Sequence, residues 1–556
     1  MLSRRLSHKG ETNSLDPSWA RVANFLRSSA AFPSDQAPRV IETHSSLVFL
    51  GETVVYKLKK PVRFDFLDFS TVKKRHQACK QEVLLNRRLA PDVYLGSVPV
   101  TINGSGSLTI DGIGQPIEWI VKMRRLPHER MLDALIERGN TKSLDMNALT
   151  FVLAQFYRNA KPVPISVGHF LQHMMDHIRS NRLELLRPDH RLPVALIKRV
   201  HGRQLQFVNL ERNLFEVRLK NNRVIDGHGD LRPEHICMED PPIIFDCIEF
   251  NKEFRQVDVA DELCFLAMEC ERMNAKKVGD EILKSYSQVT ADQLPQSLTD
   301  FYKSYRACVR AKVATLRSLQ PGAKEEETVI LAKSYLQLAD RSFGATSQPL
   351  CVMVRGLVGS GKSTIATNLA QALGMEILQS DSIRREMMTE SRQSGVYGTG
   401  CYTSQNRVEV YERMFELASV LICERISVIL DACFIAQDLQ HRVRALTETM
   451  GIELLIINCH CPDAVAIGRI VARSREPGCL SDALPEHLIS QKRDNEGVLY
   501  GASSLSIDTS VGTTASHVRL IMRHIRRLLK GTTAPEIEHQ VSNVHITSDI
   551  MLPDPG

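Results

Sequence analysis

Between Cys351 and Thr364 the chain reads CVMVRGLVGSGKST, an apolar run of strand length followed at once by the spacing G-x-x-x-x-G-K-S over Gly356 to Ser363. Gly356, Gly359 and Gly361 let the backbone turn with its N–H groups facing inward, which makes a cradle for anionic oxygens around Ser360. Lys362 adds a cation between the outer oxygens, and the helix opening at Ser363 and Thr364 aims its positive end at the same anion. These residue types in this order ask for the phosphates of ATP or GTP, with the Ser363 hydroxyl offered to Mg²⁺. Such a loop needs a strand before it and a helix after it, so the pattern predicts an α/β unit.

The residues that follow alternate as that unit requires. Strands are expected at Leu350–Arg355, Glu376–Gln379, Ser427–Leu430, Glu453–Cys459 and Leu505–Ile507, with helices between them, the first over Thr364–Leu373 and a last one over Thr514–Leu529. This alternation predicts a doubly wound parallel sheet. Groups at the carboxyl ends of its strands line the ligand crevice. Asp431 is placed there to support Mg²⁺ through water, and Asp381 to accept a proton from a substrate hydroxyl. Both also suit helix N-caps. Arg469 and Arg473, four apart on one helix face, either stabilise a transferring phosphoryl group or form a solvated basic face.

GLVGSGKST, SDSIRREM (Ser380–Met387), VILDACF (Val428–Phe434) and the arginine-bearing helix together resemble the small P-loop kinases of metabolites, antibiotics and sugars, and the related zeta-type toxin kinases. The resemblance implies that Arg384 contacts substrate and that Arg469 and Arg473 form a lid.

The preceding region reads as a β-rich small lobe and a helical large lobe. Leu47–Leu50 and Thr53–Leu58 form a hairpin about Gly51-Glu52, a helix runs from Thr71 to Leu89, and Val257 to Leu338 is helical with a break near Pro321-Gly322. Asp230, in His228-Gly229-Asp230-Leu231, can accept a hydroxyl proton. Asp246, ending the apolar run from Ile243, can bind Mg²⁺. Lys57 can pair with phosphates and Glu82 can hold that lysine, while Lys59, on the same strand face, is the alternative to Lys57.

VVYKLKKP, QEVLLNRRL, HGDLRPEHI, IIFDCIEFN and VDVADELCFL resemble the aminoglycoside phosphotransferase-like branch of the protein-kinase fold, over roughly Ile41 to Leu338. The resemblance implies Asp230 as base, Asp246 as metal ligand, and Lys57 with Glu82 as the phosphate-positioning pair. His235 stands where that family places a metal-binding asparagine, and a glycine-rich phosphate lid is missing. The order of the two halves resembles a bacterial family described as bifunctional aminoglycoside phosphotransferase and ATP-binding proteins.

At 556 residues several domains are expected. An N-terminal segment 1–40, a kinase-like domain 41–345, a P-loop domain 346–531 and a loosely held tail 532–556 are expected. A net charge of +6 gives no reason to expect nucleic acid as a partner. No apolar run is long enough to span a bilayer. The start, MLSRRLSHKGETNS, lacks the apolar core of a secretory signal, and thirteen scattered cysteines fit reduced thiols, so a cytoplasmic enzyme is expected. His169, His173 and His177, like Cys459-His460-Cys461, lack the partners of a metal site. The expected activity is phosphoryl transfer from ATP, with Mg²⁺, to a small-molecule hydroxyl. The alternatives are a nucleotide-binding regulator with a silent kinase-like half, and a zeta-toxin-like kinase of nucleotide sugars.

Overall fold

Alternating apolar residues in the first 130 positions build an antiparallel sheet. Its strands are β1 (Arg39–Glu42), β2 (Ser46–Leu50), β3 (Val54–Lys59), β4 (Tyr94–Ile102), β5 (Leu108–Ile110) and β6 (Gln115–Arg124). They lie in the order β1-β2-β3-β6-β4-β5 in a computed structural model of the chain. The structure describes residues 17–32, 36–64, 67–141, 144–318, 325–344, 348–391, 404–473, 485–497 and 503–530. The expected tail, the Pro321-Gly322 break and most of the loop from Ser391 to Gln405 lie outside the described residues.

Helix Pro17–Arg27 sets Trp19, Val22, Ala23 and Leu26 against Leu47, Phe49, Leu58 and Ile120 of this sheet. Helix Val72–Asn86 starts at Thr71, whose hydroxyl accepts from the Lys74 N–H at 3.3 Å. It buries Arg75, Cys79, Glu82, Val83 and Asn86, a stripe at helical spacing. Two of those residues are charged and both are paired: Arg75 with Glu118 at 2.5 Å, and Glu82 with the lysines of β3.

The helical lobe is organised by Val259–Arg272. Every residue from Val259 to Cys270 is buried, because this helix feeds three apolar clusters from different faces. Its acids carry partners: Asp261 pairs with Arg306 at 2.6 Å and Glu269 with Arg310 at 2.9 Å. The stretch from Asn222 to Phe250 is, as its composition predicts, loops with short strand pairs, Val224–Asp226 on Gln256–Asp258 and Ile236–Cys237 on Ile243–Ile244.

A second compact unit begins at Leu350, with 372–375 and 420–427 grouped with the first. Its strands are β7 (Leu350–Arg355), β8 (Glu376–Gln379), β9 (Val428–Asp431), β10 (Glu453–His460) and β11 (Ser503–Asp508). They are all parallel, in the order β8-β9-β7-β10-β11. With the first strand central, right-handed crossovers send helices to both faces, the doubly wound arrangement. All six residues of β7 are buried, as a central parallel strand demands. β9 includes Asp431 because that residue pairs in register with both Val354 and Gln379. No described helix is long and apolar enough to cross a membrane.

Candidate functional site

The central strand β7 ends at Arg355, and the loop Gly356–Gly361 leads into helix Lys362–Leu373. Glycine is required at two points by close approach. A Cβ at Gly356 (φ 149°) would lie 2.3 Å from the Cys459 carbonyl oxygen, and one at Gly359 (φ 78°) 2.6 Å from that of Ala466. The Ser360 N–H closes the turn on Leu357 O at 3.1 Å. Gly361, Lys362 and Ser363 are half-buried, and Thr364 is exposed on the first helical turn.

Burial by itself would lower the Lys362 pKa, but Cys433, Asp431 and Asp381 hold it above the ordinary value, with Arg473 opposing them. Lys362, Asp431, Asp381 and Arg473 therefore share one electrostatic neighbourhood. The buried Asp431 receives a hydrogen bond from Gln379 Nε2 on Oδ2 at 2.9 Å, while Oδ1 has no partner among the described residues. The buried Ser360 Oγ is also without one. A buried carboxylate oxygen left unmet costs about 1–3 kcal/mol, and a cation with its water shell is what this geometry accommodates. Asp431 and Ser363 thus fit a magnesium–nucleotide complex.

Asp381, the second residue of helix Ser380–Ser391, accepts from Arg384 Nη1 at 2.7 Å. Arg469 is placed against the loop itself. Its Nη1 donates to Thr509 Oγ1 at 2.8 Å and to Gly359 O at 3.4 Å, and its Nη2 to Thr509 O at 2.7 Å. Thr509 Oγ1 donates in turn to Ser360 O at 2.8 Å. Arg473, at the end of the same helix, is half-buried.

In the kinase-like unit the two candidate lysines divide the work. Lys57 Nζ lies 2.8 Å from Glu82 Oε1 and 2.7 Å from Asp246 Oδ1. Lys59 Nζ lies 2.5 Å from both Glu82 Oε2 and Glu249 Oε1. The Lys59 side chain is 0% exposed and that of Lys57 13%, so Lys57 is the one with access to a ligand. Burial opposes both charges, but Asp246, Glu82 and Glu249 keep the Lys57 ammonium well above the ordinary lysine range. Lys57 and His235 keep Asp246 far below the carboxylate range against its burial. Asp246 adopts a left-handed backbone (φ 63°), an uncommon conformation that side chains at functional turns adopt.

Burial would raise the Asp230 carboxyl, but Arg232, 3.0 Å away, and His235 bring it down to about 2. His235 donates from Nδ1 to Asp230 O at 2.8 Å, and its Nε2 stands 3.5 Å from Asp246 Oδ2. The pair expected to ligate a metal is thus brought together, but as part of an ion-pair network in which Lys57 already holds Asp246 and Arg232 holds Asp230. As placed, this set does not fit a metal centre. Among the described residues no group of three or more His, Cys, Asp or Glu is arranged to hold one.

Buried His228 donates from Nε2 to Phe245 O at 2.9 Å and accepts from the Asp230 N–H at 3.3 Å. Glu262 accepts from the His228 and Gly229 N–H groups and so braces the loop that carries Asp230. Of the histidine stripe, His177 packs inward, its Nδ1 meeting Tyr305 OH at 3.1 Å and burial lowering its pKa to about 4, while His169 is exposed. Glu249, Arg232, Glu262, Gln379 and Thr509 were not legible as site residues. Only Glu249 left a signal, since two lysines on one strand face call for more than one acid.

A family model described as an AAA domain matches residues 351–496. The uncharacterised protein Rv2004c of Mycobacterium tuberculosis is 32% identical over 460 residues, covering 80% of this chain and 88% of the relative. A protein of Mycobacterium bovis aligns to the same extent, 32% over 460 residues. Among solved structures, a gluconokinase from Sinorhizobium meliloti aligns at 18% identity and a TM-score of 0.25, over 33% of this chain and 94% of its own. A choline/ethanolamine kinase family protein from Mesorhizobium loti aligns at 12% identity and a TM-score of 0.34, over 59% of this chain and 98% of its own.

Proposed function

The chain belongs to the same family as these mycobacterial proteins, and we propose that its P-loop unit transfers the terminal phosphoryl group of ATP to a hydroxyl of a small molecule. The observation that carries this reading is the Oδ1 of Asp431, without a partner among the described residues, in the neighbourhood of Lys362 at the end of the strand next to the central one. The loop amides and Lys362 bind the phosphates. Asp431 and Ser363 would hold Mg²⁺, which when bound neutralises charge across the phosphates. Asp381 takes the acceptor's hydroxyl proton as its oxygen bonds to phosphorus, while the bond to the nucleoside diphosphate oxygen breaks. Arg384 orients Asp381, and Arg473 adds positive charge nearby. The acceptor is a soluble metabolite, and the reaction belongs to a cytoplasmic enzyme.

Calorimetry with MgATP on the full chain tests the binding part: wild type takes up nucleotide and Lys362→Ala loses at least ~10-fold in affinity. A metabolite-library screen with γ-labelled ATP tests the transfer. Asp381→Asn keeps MgATP binding and loses about 10²–10⁴-fold in acceptor-dependent transfer. Transfer at the wild-type rate by that variant removes Asp381 from the role.

A second reading is favoured by the kinase-like unit, where Asp230 and Asp246 already carry internal cations. In it this half is catalytically silent and responds to nucleotide bound at the P-loop. Binding with slow hydrolysis and no acceptor across the library supports that reading. Growth arrest on expressing the C-terminal half, abolished by Lys362→Ala, supports instead a zeta-toxin-like kinase.

A further inference from the structure

Behind the kinase-like site, within the first unit, lies a cleft of about 770 Å³. That volume is in the range of pockets that hold small organic molecules, ~300–1,000 Å³. One wall is the end of helix Val72–Asn86 and the turn after it, with Leu84, Leu89 and Val93. The facing wall is helix Met146–Asn159, with Phe151 and Phe156, and Pro241 and Ile243 of the 236–244 hairpin close one end. Leu84 is 63% and Phe151 55% exposed. Two large apolar side chains thus face one concave surface, which is costly to leave wet.

The charges of this cleft are unequal in their freedom. Arg88 lies over the Phe156 ring at 5.1 Å, donates to Asp226 O at 2.9 Å and Gly227 O at 2.8 Å, and faces the Asp226 carboxylate at 3.8 Å. Arg124 is held by both oxygens of Glu239, at 3.1 and 2.8 Å. Asp92 and Asp240 are exposed lining residues with no hydrogen bond or ion pair among the described residues, against a single similarly placed cation, Lys161. Two phenyl rings, aliphatic walls and a surplus of uncommitted carboxylate select for an aromatic body bearing a positive charge.

We propose that this cleft is a binding site for a small arylalkylamine, an aromatic ring carrying a protonated aliphatic amine, separate from both phosphate sites. Its walls are the backs of the elements that carry the first site: Glu82 precedes Leu84 by two residues, and Asp246 follows Ile243 by three.

The probes are 1-naphthylmethylamine, protonated at pH 7, and 1-naphthylacetate, a similar ring with the opposite charge, titrated calorimetrically into the full chain. The amine binds saturably and at least tenfold more tightly than the acetate. Phe151→Lys, which removes a ring and adds a cation at an exposed position, weakens the amine at least tenfold with an unchanged circular dichroism spectrum. Leu84→Lys, on the opposite wall, does the same and stands in should Phe151→Lys fail to fold. No saturable binding of the amine, equal binding by the folded variants, or tighter binding of the acetate overturns the proposal.

Discussion

Single atoms decide most of what the two sites can do. Asp431 Oδ1 is buried without a partner among the described residues, while Gln379 fixes the other oxygen. Asp431→Asn keeps the shape and removes the charge, so protein stability holds or rises while the magnesium dependence of nucleotide affinity flattens, measurable by titrating ATP with and without the metal. His228 gives a pH prediction. Burial lowers its pKa from 6.5 to about 4, so the unfolded chain binds more protons in that window. Its contribution is full above pH 6.5 and lost as pH falls toward 4, by about 3 kcal/mol. Glu262 runs the other way: burial raises it from 4.5 to about 7, so its contribution is full below 4.5 and lost as pH rises to 7. Comparing wild type with His228→Gln isolates the first effect. The gap between their thermal midpoints narrows as pH drops from 6.5 to 4; a constant gap refutes the assignment.

At the scale of elements, the phosphate loop is held from a distance as well as by its own glycines. Arg469 on helix Asp463–Arg473 and Thr509 after β11 tie down the carbonyls of Gly359 and Ser360. Thr509→Val removes the hydroxyl that both hydrogen bonds share. At about 1 kcal/mol for such a bond, MgATP affinity falls roughly 5-fold, with a smaller change in thermal midpoint. Thr513, four residues on, is the contrast. It caps helix Thr514–Leu529 in a reciprocal box with Ser516. Thr513→Ala costs about 1 kcal/mol of stability and leaves nucleotide affinity unchanged, as calorimetry on the same preparations shows.

Across the whole molecule, two clusters of lysines and carboxylates sit in two compact units of one chain. In one, Asp431 Oδ1 is buried without a partner among the described residues, while Arg384 holds Asp381; in the other, Lys57 and Lys59 are ion-paired with Glu82, Glu249 and Asp246. A nucleotide entering the second must displace an internal ion pair, which raises the cost of binding. Calorimetric stoichiometry follows: one tight MgATP per chain, lost in Lys362→Ala and retained in Lys57→Met. Retention of a tight site in Lys362→Ala and its loss in Lys57→Met reverse the order of the two units.

What the sequence determined by itself is whatever rests on local chemistry or on a regular period. The glycine-lysine loop, the five strands of the parallel sheet, the β2–β3 hairpin and the helix carrying Glu82 were readable because turn geometry and side-chain periodicity act over a few residues. Their ends moved by one to three residues, as at β9, where sheet register drew Asp431 into the strand. What only the tertiary structure decided is which distant charges meet. Lys57 rather than Lys59 reaches Asp246, Glu249 takes up Lys59, Arg232 neutralises Asp230, and Arg469 grips the loop through Thr509. Each of these depends on where a long side chain ends after two remote segments pack, and no spacing along the chain encodes that distance.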